Sequence, residues 1–371
     1  MSASAIFNGA ALLAELRFVG QVCQKRSTIP ILRSVLIDLM GTTATLTATN
    51  LDVIARAECV TLSGDARVAT TAPADLLISA LSGLIGDDAE AAIEFRVHDG
   101  RVNLAYDGCV MKIDGQPTDD YPTLPEFTPD LPASIETAEF LTAVRSTKFA
   151  ITREEIPFQL NGALMNISRS AVEIAATDGH RLAIATFKTD ARNPDGHSLI
   201  PRVALDTLLL FDGIDPVITF GERDFYRHFV CGHRRIVSRV LDVNFPNYRK
   251  VIAKDLDRTA IVNAEAMTCA LTRVMPLVNL STRSVRLMFS VDTLRLNVVN
   301  PECGEASATV AVSYSGPDMF VGMNATYLRD FFAQFSGDVS VTMRNENSMV
   351  VFRPVDRDGE YTYVLMPMRL A

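Results

Sequence analysis

One order of elements occurs three times along the 371-residue chain. A helical stretch is followed by strands, a second helical stretch and a further run of strands. The first helix reads Ala10-Ala11-Leu12-Leu13-Ala14-Glu15-Leu16, then Glu139-Phe140-Leu141-Thr142-Ala143-Val144, then Glu265-Ala266-Met267-Thr268-Cys269-Ala270-Leu271. Apolar residues three and four apart give each copy one apolar stripe. The second helix reads Ala74-Asp75-Leu76-Leu77-Ile78-Ser79-Ala80-Leu81, then Val203-Ala204-Leu205-Asp206-Thr207-Leu208-Leu209-Leu210, then Ala325-Thr326-Tyr327-Leu328-Arg329-Asp330-Phe331-Phe332. Copies stand about 125 residues apart, the size of a small domain and too long for a solenoid unit.

Alternating segments at 92–97, 217–220 and 339–343 predict strands after each second helix. Hairpin signals follow at His98-Asp99-Gly100, at Cys231-Gly232 and in the polar stretch 344–348. Tyr121-Pro122-Thr123-Leu124-Pro125 and Phe245-Pro246-Asn247-Tyr248 resemble each other and punctuate the repeats. The pattern predicts an α+β fold of three domains, 1–129, 130–253 and 254–371, each a sheet with helices on one face. Repeated units with similar edges can join head to tail into a closed dimer. A linear three-domain monomer fits the periodicity equally well.

Composition excludes several classes. The longest apolar runs, 208–211 and 349–352, are far too short for a bilayer. The N-terminus lacks a basic start and an apolar stretch, so a cytoplasmic protein without a signal peptide is expected. Six cysteines are scattered with no C-x-x-C pair, and Cys231 with His233 makes no tetrahedral site. Reduced, mostly buried thiols and no metal are expected. No P-loop or dinucleotide glycine fingerprint is present, so no cofactor is expected. The net charge of −9 argues against tight phosphate binding.

Ala176-Thr177-Asp178-Gly179-His180-Arg181-Leu182-Ala183 resembles a signature of the beta subunit of bacterial DNA polymerase III, the sliding clamp family. Leu160-Asn161-Gly162, Phe245-Pro246-Asn247-Tyr248-Arg249, Thr28-Ile29-Pro30-Ile31-Leu32 and the C-terminal Val364-Leu365-Met366-Pro367-Met368-Arg369-Leu370 are similar to further family segments, in order. The resemblance covers essentially the whole chain. It implies three DNA-clamp domains and a head-to-tail homodimeric ring, helices lining the hole and sheets outside. Such a ring encircles double-stranded DNA without reading sequence and catalyses nothing. The implied partners are the DNA polymerase III alpha subunit, the clamp-loader complex, translesion polymerases, mismatch-repair proteins and ligase.

Carried over by motif, a peptide-binding groove is expected from Leu160, Thr177, Gly179, His180, Arg181, Leu182, Pro246, Lys250, Val251, Ser348, Val364, Met366, Pro367, Met368 and Arg369. A concave apolar patch with methionines can repack around several short peptides. Its ligands would carry a Gln and terminal Leu or Phe anchors. Lys250 stands where the family pattern usually shows Arg, Glu346 near an often apolar position, and Ala371 extends past the usual terminal Leu. For DNA, Arg26, Arg145, Lys148, Arg153 and Arg202 are expected, with Arg17, Lys25, Arg273, Arg283 and Arg329 as further candidates. Met111, Ile113 and Leu277 are expected at the dimer interface, where Pro276 precedes Leu277.

Read without the resemblance, Asp178-Gly179 is a hairpin turn. Two other functions stay open: an enzyme of nucleic-acid metabolism using Asp178 and His180 as an acid–base pair, and a related clamp serving repair or inhibitor tolerance.

Overall fold

The structure, a computed structural model, describes residues 3–23, 28–64, 66–124, 133–152, 160–189, 195–223, 225–241, 245–252 and 255–369. The first repeat runs β1 (Ala3–Asn8), α1 (Gly9–Gly20), β2 (Ser34–Gly41), β3 (Thr43–Thr49), β4 (Val53–Val60), a two-residue β5 (Ser63–Gly64), β6 (Ala66–Pro73), α2 (Ala74–Ile85), β7 (Ala92–His98), β8 (Arg101–Tyr106) and β9 (Cys109–Asp114). The second runs β10 (Ala133–Glu136), α3 (Thr137–Lys148), β11 (Gly162–Ile167), β12 (Ala171–Thr177), β13 (Arg181–Lys188), β14 (Gly196–Pro201), α4 (Arg202–Leu208), β15 (Val217–Arg223), β16 (Tyr226–Cys231) and β17 (Arg234–Arg239). The third runs β18 (Arg258–Asn263), α5 (Ala264–Val274), β19 (Ser284–Ser290), β20 (Thr293–Asn300), β21 (Gly304–Ser313), β22 (Met319–Asn324), α6 (Ala325–Phe332), β23 (Asp338–Met343), β24 (Val350–Pro354) and β25 (Tyr361–Leu365). Both predicted helices appear in every repeat.

Local chemistry explains the helix starts. Asn8 and Asn263 cap α1 and α5 by accepting from the amides of Ala11 and Ala266, and Asn324 caps α6 through Thr326 and Tyr327. Each such cap supplies an acceptor to an orphan amide and stabilises the helix by about 1 kcal/mol. Helix α1 buries Leu12, Leu13, Leu16 and Val19, and α5 buries Met267, Ala270, Leu271 and Val274, the i, i+3, i+4 stripe that the sequence carries.

The expected single sheet per repeat is corrected to two sets of strands, which are separate sheets in the first two repeats and are joined through β18 and β21 in the third. In the first repeat β1-β7-β8-β9 and β4-β3-β2-β6 are separate four-strand runs, and the same two sets recur in the others. Helix α1 packs on strands of both sets, β1 as well as β2, β3 and β4. In the first two repeats the strand before the first helix therefore leaves for a different sheet from the strands after it, whereas in the third β18 pairs with β21 at Ser313 and Val312.

Neighbouring repeats share sheets. Strand β4 pairs antiparallel with β17, Val53 opposite Ser238 through Ala57 opposite Arg234. Strand β13 pairs antiparallel with β25, Arg181 opposite Leu365 through Ala185 opposite Tyr361. The result is an eight-stranded and a twelve-stranded sheet beside the five-stranded one. Compactness follows these sheets rather than the repeats: one unit comprises Met1–Leu141 with Ile200–Val240, the other Thr142–Leu199 with Leu241–Ala371.

In the first unit a buried clamp braces the β4/β17 joint. Arg234 donates from Nε and Nη2 to both oxygens of Glu15 on α1, each at 2.8 Å, and also reaches the Leu210 carbonyl. Its guanidinium lies 4.9 Å from the Phe18 ring centroid, and His233 Nε2 stands 3.1 Å from Glu15. Removing one partner of such a pair strands a buried charge, whereas apolar replacement of both is close to neutral. Glu15→Ala should lower stability by about 3–5 kcal/mol, and Glu15→Leu with Arg234→Met should recover most of it. Urea unfolding followed by circular dichroism checks this; a double variant no better than the single one would show that the clamp acts by some other means.

Candidate functional site

The second unit holds a cavity of about 240 Å³ lined by Leu160, Thr177, Gly179, His180, Arg181, Leu182, Pro246, Tyr248, Val251, Val364 and Met366. Its apolar floor is continuous with a buried cluster of Ala175, Leu182, Ile184, Tyr248, Val351 and Val364. Val251 and Met366 are more than a third exposed, so apolar surface faces outward at the rim.

The wall between β12 and β13 is a tightly hydrogen-bonded turn. Gly179 has φ of 89°, where a side chain would be strained. Asp178 Oδ1 accepts from the amides of His180 and Arg181, and Thr177 Oγ1 donates to the Arg181 carbonyl at 2.6 Å. The Met366 amide donates to the His180 carbonyl. This last bond sets the first tail residue after β25 beside the turn.

Arg181 is a strut behind that wall, its side chain 7% exposed. It donates to Asp178 at 3.0 Å, to Asp330 on α6 at 2.9 Å and to the Phe149 carbonyl at 2.6 Å. Its guanidinium sits 4.1 Å from the Tyr327 ring centroid. Burial works against the cation, but Tyr363, Asp330 and Asp178 outweigh it and raise its pKa above the ordinary arginine value. With Asp178 engaged by Arg181 and by two amides, the Asp178–His180 pair is a built turn rather than an acid–base couple; the carboxylate is committed to structure.

Tyr248 lines the cavity and was missing from the predicted groove, although it stands in the boundary motif Phe245-Pro246-Asn247-Tyr248. Its hydroxyl donates to Glu173 and accepts from Asn166 at 2.8 Å, while Arg249 grips Glu173 at 2.8 and 3.0 Å. Burial and the Glu173 carboxylate push the Tyr248 hydroxyl up to about 12, so it stays a neutral donor. Spacing gives no sign of this role, because Glu173 and Asn166 sit on strands far from Tyr248 in sequence.

Other predicted groove residues lie elsewhere. The Ser348 hydroxyl is occupied by its own turn, accepting from the Arg344 and Asn345 amides and donating to the Asn345 carbonyl. The Lys250 side chain is exposed and does not line the cavity. After Met366 the tail reaches β22, where the Met368 amide donates to the Gly322 carbonyl, and Pro367, Met368 and Arg369 are not among the cavity's lining.

Of the predicted basic residues, Arg26, Arg153 and Lys25 fall outside the described residues. Arg145 and Lys148 occupy the last turn of α3, and Arg202 opens α4, 3.8 Å from Asp206. Arg17, Arg273 and Arg329 are exposed on α1, α5 and α6, and Arg283 is exposed in the turn before β19. Helix α2 carries no Lys or Arg and exposes Asp75 and Leu76. For the interface residues, β9 is an edge strand. Met111 is half-buried on it, and Ile113 is 8% exposed, turned into its own repeat opposite Val102. Leu277 is half-buried in the 275–277 turn, which packs on β20 and β21.

All six cysteines are free thiols. Burial raises Cys23 to about 12 and Cys59 to about 11, with Asp75 and Glu15 adding to the effect, so neither is a nucleophile near neutral pH. Among the described residues no group of three His, Cys, Asp or Glu could hold a metal, and no helix is long and apolar enough to cross a membrane.

Comparison with known proteins agrees with this geometry. Family models of the DNA polymerase III beta subunit match in order: the N-terminal domain over residues 6–125, the central domain over 134–247 and the C-terminal domain over 249–369. The chain is 30% identical to the beta sliding clamp of Proteus mirabilis over 367 residues and 28% identical to that of Escherichia coli K12 over 368, covering 97% of this chain and 98% of each relative. It is similar to the solved sliding clamps of Pseudomonas aeruginosa and Bartonella birtlesii, both bound to griselimycin, each with a TM-score of 0.89 at 26% identity and full coverage of both chains. A beta subunit structure from Thermotoga maritima shares the fold at a TM-score of 0.91 and 21% identity. With three domain models falling in sequence across its repeats, the chain belongs to the DNA polymerase III beta subunit family.

Proposed function

We propose that this protein is a sliding clamp: two copies close head to tail around duplex DNA and tether the replicative polymerase without catalysing a reaction. Three repeats of one α+β unit, matched in order by the three family domains, carry this reading. Its domains are 1–129, 130–253 and 254–371, and its setting is the cytoplasm. Arg26, Arg145, Lys148, Arg153 and Arg202 supply weak phosphate contacts, and the topology supplies residence time. Each tight contact would add friction and salt-sensitive affinity, so a net charge of −9 suits a ring that holds by enclosure.

The cavity of the second unit is read as the docking groove for short peptides of the polymerase alpha subunit, the clamp loader, translesion polymerases, mismatch-repair proteins and ligase. Apolar walls accept Leu or Phe anchors, and the exposed His180 at the edge of the turn fixes peptide direction. The griselimycin complexes belong to relatives of this chain and support a ligand-binding groove on this fold. Met111, Ile113 and Leu277 belong to the dimer joint in the same reading.

Loaded onto nicked circular DNA by a clamp loader, the protein should stay bound at raised salt and run off when the circle is cut. Gel filtration of both samples decides the matter; retention on linear DNA with free ends would mean grip rather than enclosure. In the groove, Met366→Arg places a charge on a side chain 40% exposed, so the fold should survive with its melting temperature nearly unchanged. Affinity for a fluorescent peptide bearing a Gln and Leu/Phe anchors should fall roughly tenfold or more, the scale of one lost anchor. Unchanged affinity would place the peptide site elsewhere.

A further inference from the structure

A second cavity opens on the solvent side of the third repeat's sheet, where β20, β19 and β22 run side by side. It measures about 310 Å³, and its lining includes Met288, Ser290, Thr293, Arg295, Asp318 and Phe320. No residue lines both this cavity and the groove. The strand registers set its floor: Met288 on β19 stands between Phe320 on β22 and Arg295 on β20, directly opposite each. A sheet with one solvated face turns polar side chains outward in alternation, as Thr293, Arg295 and Asn297 do on β20. Phe320 and Met288 break that rule, 45% and 38% exposed.

The cavity is held open by buried structure. Its turn end hangs on Tyr314, a buried residue whose ring packs 5.7 Å from that of Phe289. The Asp292 amide donates to the Tyr314 carbonyl at 3.1 Å and fixes the β19–β20 hairpin. The Tyr314 hydroxyl donates to the Pro317 carbonyl at 2.8 Å and fixes the approach to Asp318. A Cβ added to Gly316 would lie 2.5 Å from that hydroxyl, so glycine lets the loop close over the ring. A site held in this way loses little ordering entropy when it is filled.

Its charge indicates what fills it. Arg286 and Arg295 flank Met288, both exposed, and among the described residues neither has an ion pair. The Arg286 guanidinium lies 5.3 Å from the Phe320 ring centroid. Asp318 and Asp292 stand at the turn end, so the site is basic on one side and acidic on the other. We infer that this face is a second docking site, for a linear peptide in which an apolar anchor stands beside two or more carboxylates. The anchor lies on Met288 and Phe320, where a flexible thioether can repack around it. The carboxylates pair with Arg286 and Arg295, whose planar forks suit them. Two unpaired guanidiniums in a protein of net charge −9 select an acidic partner by charge complementarity. Single-stranded nucleic acid suits the face less well. It needs free ring faces for its bases and a track of cations for its phosphates, and here the one exposed ring already carries Arg286.

The probe is a fluorescein-labelled peptide with three glutamates on one side of a Phe, tested in both orders by fluorescence anisotropy on the full chain. One order should bind saturably, and more weakly as salt is raised. Arg295→Glu and Phe320→Ser should each lower its affinity roughly tenfold or more. Both side chains are exposed, so the melting temperature should hold. Arg286→Glu with Arg295→Glu should instead bind the counterpart peptide with lysines for glutamates, a gain that misfolding cannot produce. An excess of the unlabelled groove peptide, with its Gln and Leu/Phe anchors, should not displace the probe. No saturation in either order, displacement by the groove peptide, or full binding by Arg295→Glu overturns the second site. Displacement by oligothymidylate where the unlabelled glutamate peptide fails to compete assigns the face to nucleic acid and overturns the peptide. None of these outcomes touches the clamp reading, on which the inference does not rest.

Discussion

Backbone pairing between strands of successive repeats is the constraint on which this molecule rests. An edge strand presents unsatisfied amides and carbonyls, and another strand is the natural partner. Here each internal edge is closed by the next copy of the same unit, five residue pairs at a time. Because β-strand side chains alternate with a period of two, a one-residue slip would turn every core residue outward. The joints are therefore specific as well as adhesive. The arginine clamps add a second lock, since Glu15 and Asp330 sit on helices while Arg234 and Arg181 begin the joined strands. Each clamp ties the layer of helices to the sheet at the seam.

The groove is a by-product of one such seam. Strand β13 joins β25, so the turn before β13 and the tail after β25 come to lie side by side, and the Met366 amide finds the His180 carbonyl. Arg181 serves both purposes. It opens the joined strand, and its contacts with Asp178, Asp330 and Phe149 hold the groove wall rigid. A wall held in this way presents its apolar face without paying ordering entropy on binding. On the opposite side Tyr248 is fixed through Glu173, so both walls are anchored by polar networks while the lining stays largely apolar.

Charge is distributed to suit the same architecture. The acidic total coexists with scattered cations on α1, α3, α4, α5 and α6, Arg202 among them beside Asp206, and α2 has none. A surface of this kind attracts phosphate weakly. In the sliding-clamp reading proposed above, weak attraction suffices because enclosure supplies the residence time that affinity does not.

The amino-acid order alone determined the repeat, the six helices and the turn at Asp178-Gly179, because apolar periodicity, Asn caps and turn chemistry are local and can be read within a few residues. The family signature placed ten of the eleven cavity residues. Tertiary structure alone decided that each repeat divides its strands into two sets, that Tyr248 belongs to the cavity, and that Ser348, Lys250, Pro367, Met368 and Arg369 are not among its lining. It alone showed that Arg234 finds Glu15 and Arg181 finds Asp330. Those outcomes depend on which edge meets which and on where a tail is pulled by a single distant carbonyl. Pairings between residues more than a hundred positions apart leave no periodic trace in the chain that makes them.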